Sequence, residues 1–199
     1  MKIGTIGAGH IAQAFTKHAA KAGYEVVVSN KSGAAALAPL VATFGPNVKA
    51  GTMAEAVEAE VVLFSVPWNG AAAALQEVPA WKGQILVDTT NALSLPDFKP
   101  LDLGAQISSE IIAELAPGAR VVKAFNTLFA TTLSADPAEG GGQRVIFISG
   151  DDAAAKATVL ALIAKLGFAG IDLGNLATGG RLQQFGGPLA SVNLVKLPG

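Results

Sequence analysis

Short runs of β-branched residues alternate along this chain with alanine-rich stretches of helical length. Ile3-Gly-Thr-Ile6 reads as a first strand and His10 to Lys21 as a helix. Tyr24 to Ser29 is expected as the second strand, Gly33 to Phe44 as the second helix, and a short strand follows near Val48. Thr52-Met-Ala-Glu55 has the form of a capping box, a hydroxyl and a carboxylate satisfying the free amides of a helix start. Glu60 to Val66 is the most apolar strand, and its near-continuous character suits a parallel strand covered on both faces. Gln84 to Asp88 and Arg120 to Phe125 repeat the theme, with helices expected between them. The series is βαβα, so the fold class is α/β, a doubly wound and mostly parallel sheet.

The composition shifts at Ser134-Ala-Asp-Pro-Ala-Glu-Gly-Gly-Gly142, which reads as an exposed loop or hinge. A strand from Arg144 to Ser149, a helix from Asp151 to Leu166 and a strand from Phe168 to Leu173 are expected after it. The helix has two acids at its positive end. From Pro188, a good first-turn residue, the tail reads as helical. The expected organisation is a main domain over residues 1–149 and a small C-terminal α/β lobe over 150–199, with a helical extension, packed on it.

Charge narrows the function. Charged residues are 15% of the 199, against about 25% in an average soluble domain. The formal net charge is −1, so no basic field exists to hold nucleic acid or an anionic membrane. Zero cysteines remove thiolate nucleophiles, disulfides and Cys-ligated metal centres, and two histidines are too few for a His-rich metal site. No apolar run approaches the ~18–20 residues of a membrane span, and the glycine-interrupted N-terminus makes a poor export signal. A cytoplasmic protein is expected. Redox chemistry here needs a borrowed cofactor.

The turn Gly7-Ala-Gly-His-Ile-Ala12 follows a strand and opens a helix, the context a pyrophosphate-binding GxGxxA turn requires. Gly7 permits the tight turn, Gly9 lets backbone amides approach the phosphates, and Ala12 keeps the helix close to the sheet. The bland alternative is a tight turn without a ligand. At the end of the second strand, where an NAD site places an acid, the chain has Ser29-Asn-Lys-Ser32. Lys31 supplies charge for a 2′-phosphate, Asn30 and Ser32 supply hydrogen bonds, and Ser29 is a neighbour, so NADP(H) is the expected cofactor. An ordinary polar turn is the alternative there. Val66-Pro67-Trp68 ends the fourth strand on the carboxyl edge, where Pro67 shapes a wall and Trp68 offers a flat face or caps the core. Asn126 and Thr127, and also Thr89, Thr90 and Asn91, fall on the same edge. His10 lies inside the turn, and His18 is expected on an exposed face. The sole tyrosine, Tyr24, sits in a strand, and neither a Tyr-x-x-x-Lys pair nor a nucleophile constellation is present. Hydride transfer between stacked rings asks little of side chains beyond orientation and exclusion of water.

These residues resemble the NADPH-dependent reductases of coenzyme F420. The likeness covers the glycine turn, Val66-Pro-Trp68, Val121-Val-Lys-Ala-Phe-Asn-Thr127, Ser149-Gly-Asp-Asp152, Gly180-Arg-Leu182 and Pro188-Leu189. The resemblance implies a Rossmann domain with a small C-terminal extension, a homodimer, and direct hydride transfer between NADP(H) and a deazaflavin. It implies that Gly7, Ala8, Gly9, His10 and Ile11 hold pyrophosphate and that Asn30 and Lys31 hold the 2′-phosphate. It also implies that Pro67 and the loop from Asn126 and Thr127 to Ala130 border the nicotinamide. The chain carries Asn30-Lys31 where archetypal members carry Ser-Arg, and Lys lacks the bidentate fork of Arg. Arg181 is open to either an anionic F420 tail or a local pairing. The partner expected is a small redox acceptor; a flavin, a quinone or a small imine is the alternative, as is a sensor of NADP(H) that turns nothing over.

Overall fold

Residues rich in Val, Ile and Leu become strands buried on both faces. The computed structural model describes residues 1–94 and 96–199. The first strands in chain order are β1 (Lys2–Ile6), β2 (Glu25–Ser29), β3 (Val48–Ala50), β4 (Val61–Phe64), β5 (Ile85–Asp88) and β6 (Arg120–Ala124). They are followed by β7 (Gln143–Gly150), β8 (Ala169–Asp172) and the two-residue β9 (Val195–Lys196). In space the order is β3-β2-β1-β4-β5-β6-β7-β8, with β9 added beside β7. Strands β1 to β6 pair in parallel, β7 meets β6 antiparallel, and β8 runs parallel to β7. The doubly wound, mostly parallel sheet is as expected, with a reversal at the β6–β7 seam.

Helices cover both faces. On one side α1 (His10–Lys21), α2 (Ala34–Val41) and α7 (Ala153–Lys165) bring Phe15, Leu37, Val159 and Ile163 onto Ile3, Val28, Leu63, Val122 and Ile148. On the other, α3 (Met53–Val57), α4 (Trp68–Gln76) and α5 (Ser108–Leu115) bring Val57, Leu75 and Ile112 onto Val62, Phe64 and Leu86. The helix α6 (Ala130–Ser134) packs across α1. The Thr52–Glu55 capping box forms at α3, where Thr52 Oγ1 accepts from Glu55 N at 3.1 Å and Glu55 Oε2 accepts from Thr52 N at 2.7 Å. Asp152 caps α7 by accepting from Ala155 N at 2.7 Å.

Two expectations are corrected. The segment after Pro188 is not helical: it winds through turns to Ser191 and then extends into β9. Tertiary pairing decides this, because Leu194 O accepts from Val145 N at 2.9 Å and Ser191 N donates to Thr127 O at 2.8 Å. The helical extension lies earlier, as a π-helical turn over Leu176–Gly180 running into α8 (Arg181–Gln183). His18 is not exposed either: it is buried, with Nε2 2.7 Å from Leu133 O and its ring edge-on to Phe168. The cover comes from α6 and the start of β8, which no pattern local to α1 reveals. Among the described residues, no helix is long and apolar enough to cross a membrane.

Candidate functional site

The chain leaves β1 through Gly7, whose φ of +103° lies in the region that favours glycine. Its N–H donates to Ser29 O at 2.9 Å, and a Cβ on it would stand 2.0 Å from Ser65 O. Gly9 differs: apart from its own chain neighbours, nothing lies within 4 Å of where its Cβ would be. Gly9 precedes α1 as a cap without a side-chain hydrogen bond, and no acid stands in the first turn of the helix. The first amides of α1 therefore present an unneutralised positive end to the space above Gly9. Gln13 Nε2 donates to Ala8 O at 2.8 Å and holds the turn from behind.

That space is the start of a chamber of about 540 Å³, lined on one side by Gly7, Ala8 and Gly9 and on the other by Asn30, Lys31 and Ser32. Ser29 does not face it. It is fully buried, its hydroxyl donating to Thr5 O at 2.6 Å. Asn30 Oδ1 accepts from Ser32 N at 2.9 Å, a local turn that presents the exposed Lys31. Lys31 is the one cation among the described residues lining this chamber.

A second chamber, of about 750 Å³, shares Gly9, Ser65, Val66, Pro67 and Asn69 with the first. The two join across the ends of β1 and β4, the point where strand order reverses and where such sheets bind ligands. His10 and Ile11 line the second chamber, as do Asn126, Thr127 and Ala130. Trp68 heads α4, half-buried, and serves both roles foreseen for it: it packs on the core and walls the chamber. Phe98, Phe129 and Phe185 add aromatic walls, with Phe98 63% and Phe129 67% exposed.

The floor of this chamber is built on a polar web that the sequence does not announce. Asn126 Nδ2 donates to Asn91 Oδ1 at 3.0 Å, and Asn91 Nδ2 donates to Asn126 O at 2.9 Å. Gln183, fully buried, donates from Nε2 to Lys123 O at 3.2 Å. Beneath Thr90 lies Lys123, also fully buried, whose Nζ donates to Thr90 O at 3.0 Å, Ser108 Oγ at 3.0 Å and Ser109 Oγ at 2.9 Å. Asp88 Oδ2 stands 3.5 Å from that ammonium. Burial pushes the Lys123 pKa down, and Asp88 opposes the shift. With its protons spent and no exposure, Lys123 braces the floor and touches no ligand. A lone Lys inside Val121-Val-Lys-Ala-Phe125 was a signal available in the sequence; Gln183, 57 residues from Asn126, gave none.

Backbone strain gathers here as well. The non-glycine residues with positive φ among the described residues are Phe98, Phe125 and Ser191, at +52°, +59° and +64°. Phe98 and Ser191 line the second chamber and Phe125 immediately precedes Asn126. Such residues cost on the order of 1–3 kcal/mol each and persist where their surroundings over-determine them. No group of three or more His, Cys, Asp or Glu that could hold a metal ion occurs among the described residues. The arrangement suits holding flat rings against each other and keeping water away.

A doubly wound sheet with this turn at its switch point defines a Rossmann-type, NADP-dependent oxidoreductase. The chain belongs to the family of NADP oxidoreductases, coenzyme F420-dependent, whose family model matches residues 2–92. It is similar over 98% of its length to a hypothetical protein of Sinorhizobium meliloti, 46% identical, with 96% of that chain covered and a TM-score of 0.93. A structure from an Arthrobacter species, described as an F420-dependent NADP reductase, is 32% identical with a TM-score of 0.77. That match covers 88% of this chain and 86% of the other. Rat (Rattus norvegicus) metalloreductase STEAP3 is 32% identical over 99% of this chain and 38% of its own length. The chain thus spans less than two-fifths of the curated relatives it matches.

Proposed function

We propose that this protein binds NADP(H) across the carboxyl edge of the sheet and passes hydride directly between its nicotinamide and a deazaflavin acceptor of the F420 type. The observation that carries the reading is the contrast within the glycine turn: the fold itself needs Gly7, whereas nothing in the protein occupies the space Gly9 leaves open. A backbone that withholds a side chain facing empty space at a helix N-terminus fits a pyrophosphate.

The residues present fit the dinucleotide. The amides of Gly9, His10 and Ile11 would hold the pyrophosphate, with Ala8 and Gly7 shaping the approach. Lys31, Asn30 and Ser32 would hold a 2′-phosphate, which a carboxylate at the end of β2 would repel. Val66 and Pro67 would guide the ribose from one chamber to the next. Asn126, Thr127 and Ala130 would border the nicotinamide, and Trp68 would shield it. When bound, the dinucleotide supplies or accepts a hydride, and the remaining proton of the acceptor ring exchanges with water. No side chain lining the second chamber has to deliver a proton. The protein contributes orientation of two rings and exclusion of solvent.

A second reading keeps the NADP(H) site and replaces the deazaflavin by a flavin or quinone; the likeness to a metalloreductase, a name that specifies a different acceptor, is the reason to keep the acceptor open. Anaerobic mixing of the protein with NADPH and F420, followed by the absorbance of the oxidised deazaflavin, separates the two, with NADH and FMN as parallel arms. Bleaching with NADPH and not NADH supports the first reading. Silence with F420 and turnover of FMN establishes the second, and tight NADPH binding without any turnover leaves a sensor.

A further inference from the structure

The first chamber has more lining than a pyrophosphate and a 2′-phosphate require. Beyond the glycine turn and the Asn30–Ser32 turn, it is lined by Met53 at the start of α3 and by Ala73, Ala74 and Glu77 along and just past α4. Met53 and Ala74 are half-buried, packed on the core beneath these two helices, and give the chamber an apolar wall. Glu77 is the one carboxylate among the described residues lining the chamber, as Lys31 is the one cation. It is exposed, and among the described residues its carboxylate has neither a hydrogen bond nor an ion pair. Glu77 caps the C-terminal end of α4, whose last turn holds no basic residue. The helix dipole disfavours an acid there, and nothing local offsets it. An unpaired acid at the wrong end of a helix, facing a cleft, is a local conflict of the kind that marks functional positions.

We infer that Glu77 determines which purine the nucleotide carries: its carboxylate accepts from the exocyclic amino group of adenine and turns away a purine with a carbonyl at that position. The inference rests on the proposed NADP(H) site and names the residue that reads the base within it. The base and the 2′-phosphate hang from adjacent carbons of one ribose, so a 2′-phosphate on Lys31 leaves the base in this same chamber. Few other acceptors are free to meet an amine there. Asn30 Oδ1 already accepts from Ser32 N, and Asn69 stands at the rim shared with the second chamber. An ionised carboxylate only accepts, so it matches an amino group and repels a carbonyl oxygen. Met53, Ala73 and Ala74 supply apolar contact for the ring.

The test compares NADPH with its hypoxanthine analogue, in which a carbonyl replaces the amino group of the base, by calorimetric titration of the native protein, Glu77→Gln and Glu77→Ala. The native protein is expected to bind NADPH about fivefold or more tightly than the analogue. Glu77→Gln, whose amide can donate to the carbonyl, is expected to lose or reverse that preference. Glu77→Ala, with neither donor nor acceptor, is expected to bind the two within about twofold. Equal affinities in the native protein, or an unchanged preference in both variants, overturn the inference and leave the NADP(H) site standing. Loss of both nucleotides alike in the variants also overturns it, because a residue that reads the amino group has no reason to exclude the analogue. Failure of the native protein to bind either nucleotide overturns the NADP(H) reading itself, and the assignment of Glu77 with it.

Discussion

Gln183 and Asn126 exchange two hydrogen bonds: Gln183 Nε2 donates to Asn126 Oδ1 at 3.0 Å, and Asn126 Nδ2 donates to the Gln183 main-chain oxygen at 2.7 Å. The pair fastens α8 to the loop that follows β6, directly under the second chamber. Replacing Gln183 by Leu leaves both Asn126 Oδ1 and Lys123 O without this donor. Stability falls by about 1–3 kcal/mol in urea denaturation, the cost of buried polar groups left unpaired. KM for the acceptor rises while the Kd for NADPH changes by less than about twofold, because the damage is remote from the glycine turn. A parallel loss of NADPH affinity would refute this division of labour.

The glycine turn offers a paired test. Gly7→Ala forces a side chain into a positive-φ position 2.0 Å from Ser65 O, and stability drops by about 3 kcal/mol or more. Gly9→Ala meets no clash and loses only the preference for Gly over Ala as a helix cap, so stability falls by no more than about 1 kcal/mol. NADPH binding to Gly9→Ala nevertheless weakens by about tenfold or more, because in the proposed binding mode the methyl group would stand where the pyrophosphate approaches. Thermal denaturation and calorimetric titration of the two variants check both halves of the prediction.

Lys31→Glu exchanges an attraction for a repulsion at the end of β2. NADPH affinity falls by about 30-fold or more and NADH affinity by less than about threefold. Equal weakening of both nucleotides would remove the 2′-phosphate from this residue.

His18 sets a pH dependence. Burial is the main cause that lowers its pKa below the ordinary 6.5, and the hydrogen bond to Leu133 O partly offsets it. A neutral ring donates from Nε2 to that oxygen, and charging the ring costs desolvation. The unfolded chain therefore binds this proton at higher pH than the folded one. His18 favours folding above pH 6.5, and this contribution is lost as pH falls from 6.5 through the lower folded pKa. Urea midpoints measured from pH 8 to pH 5 should decline more steeply for the native protein than for His18→Gln.

The parts of this site that sequence reveals are those fixed by local geometry. A glycine that must turn, a helix that must start and a missing acid at the end of β2 are each dictated by a few adjacent residues, and all are where the pattern puts them. What escapes is set by distant chain. The orientation of Ser29 depends on Thr5 across the sheet, the burial of His18 on α6 and β8, and the floor under Asn126 on Gln183. Pro188 misleads for the same reason: a good helix start is overruled by unpaired groups on β7 that Leu194 satisfies.

The reversal at the β6–β7 seam has a consequence for how such proteins diversify. Because β7 and β8 run opposite to β1–β6, the chain leaves β8 pointing away from the cleft and has to double back. The π-helical turn and α8 make that return, carrying Gln183 to Asn126 and then Phe185, Ala190 and Ser191 to the second chamber. The residues lining the first chamber, in contrast, all lie between Ile6 and Glu77. The second chamber thus takes one part of its wall from a stretch of chain that the first chamber does not use, while the rest comes from residues 9–130. Exchanging residues 176–191 for a relative's counterpart would therefore re-shape the wall that Phe185, Ala190 and Ser191 supply without touching the lining of the first chamber.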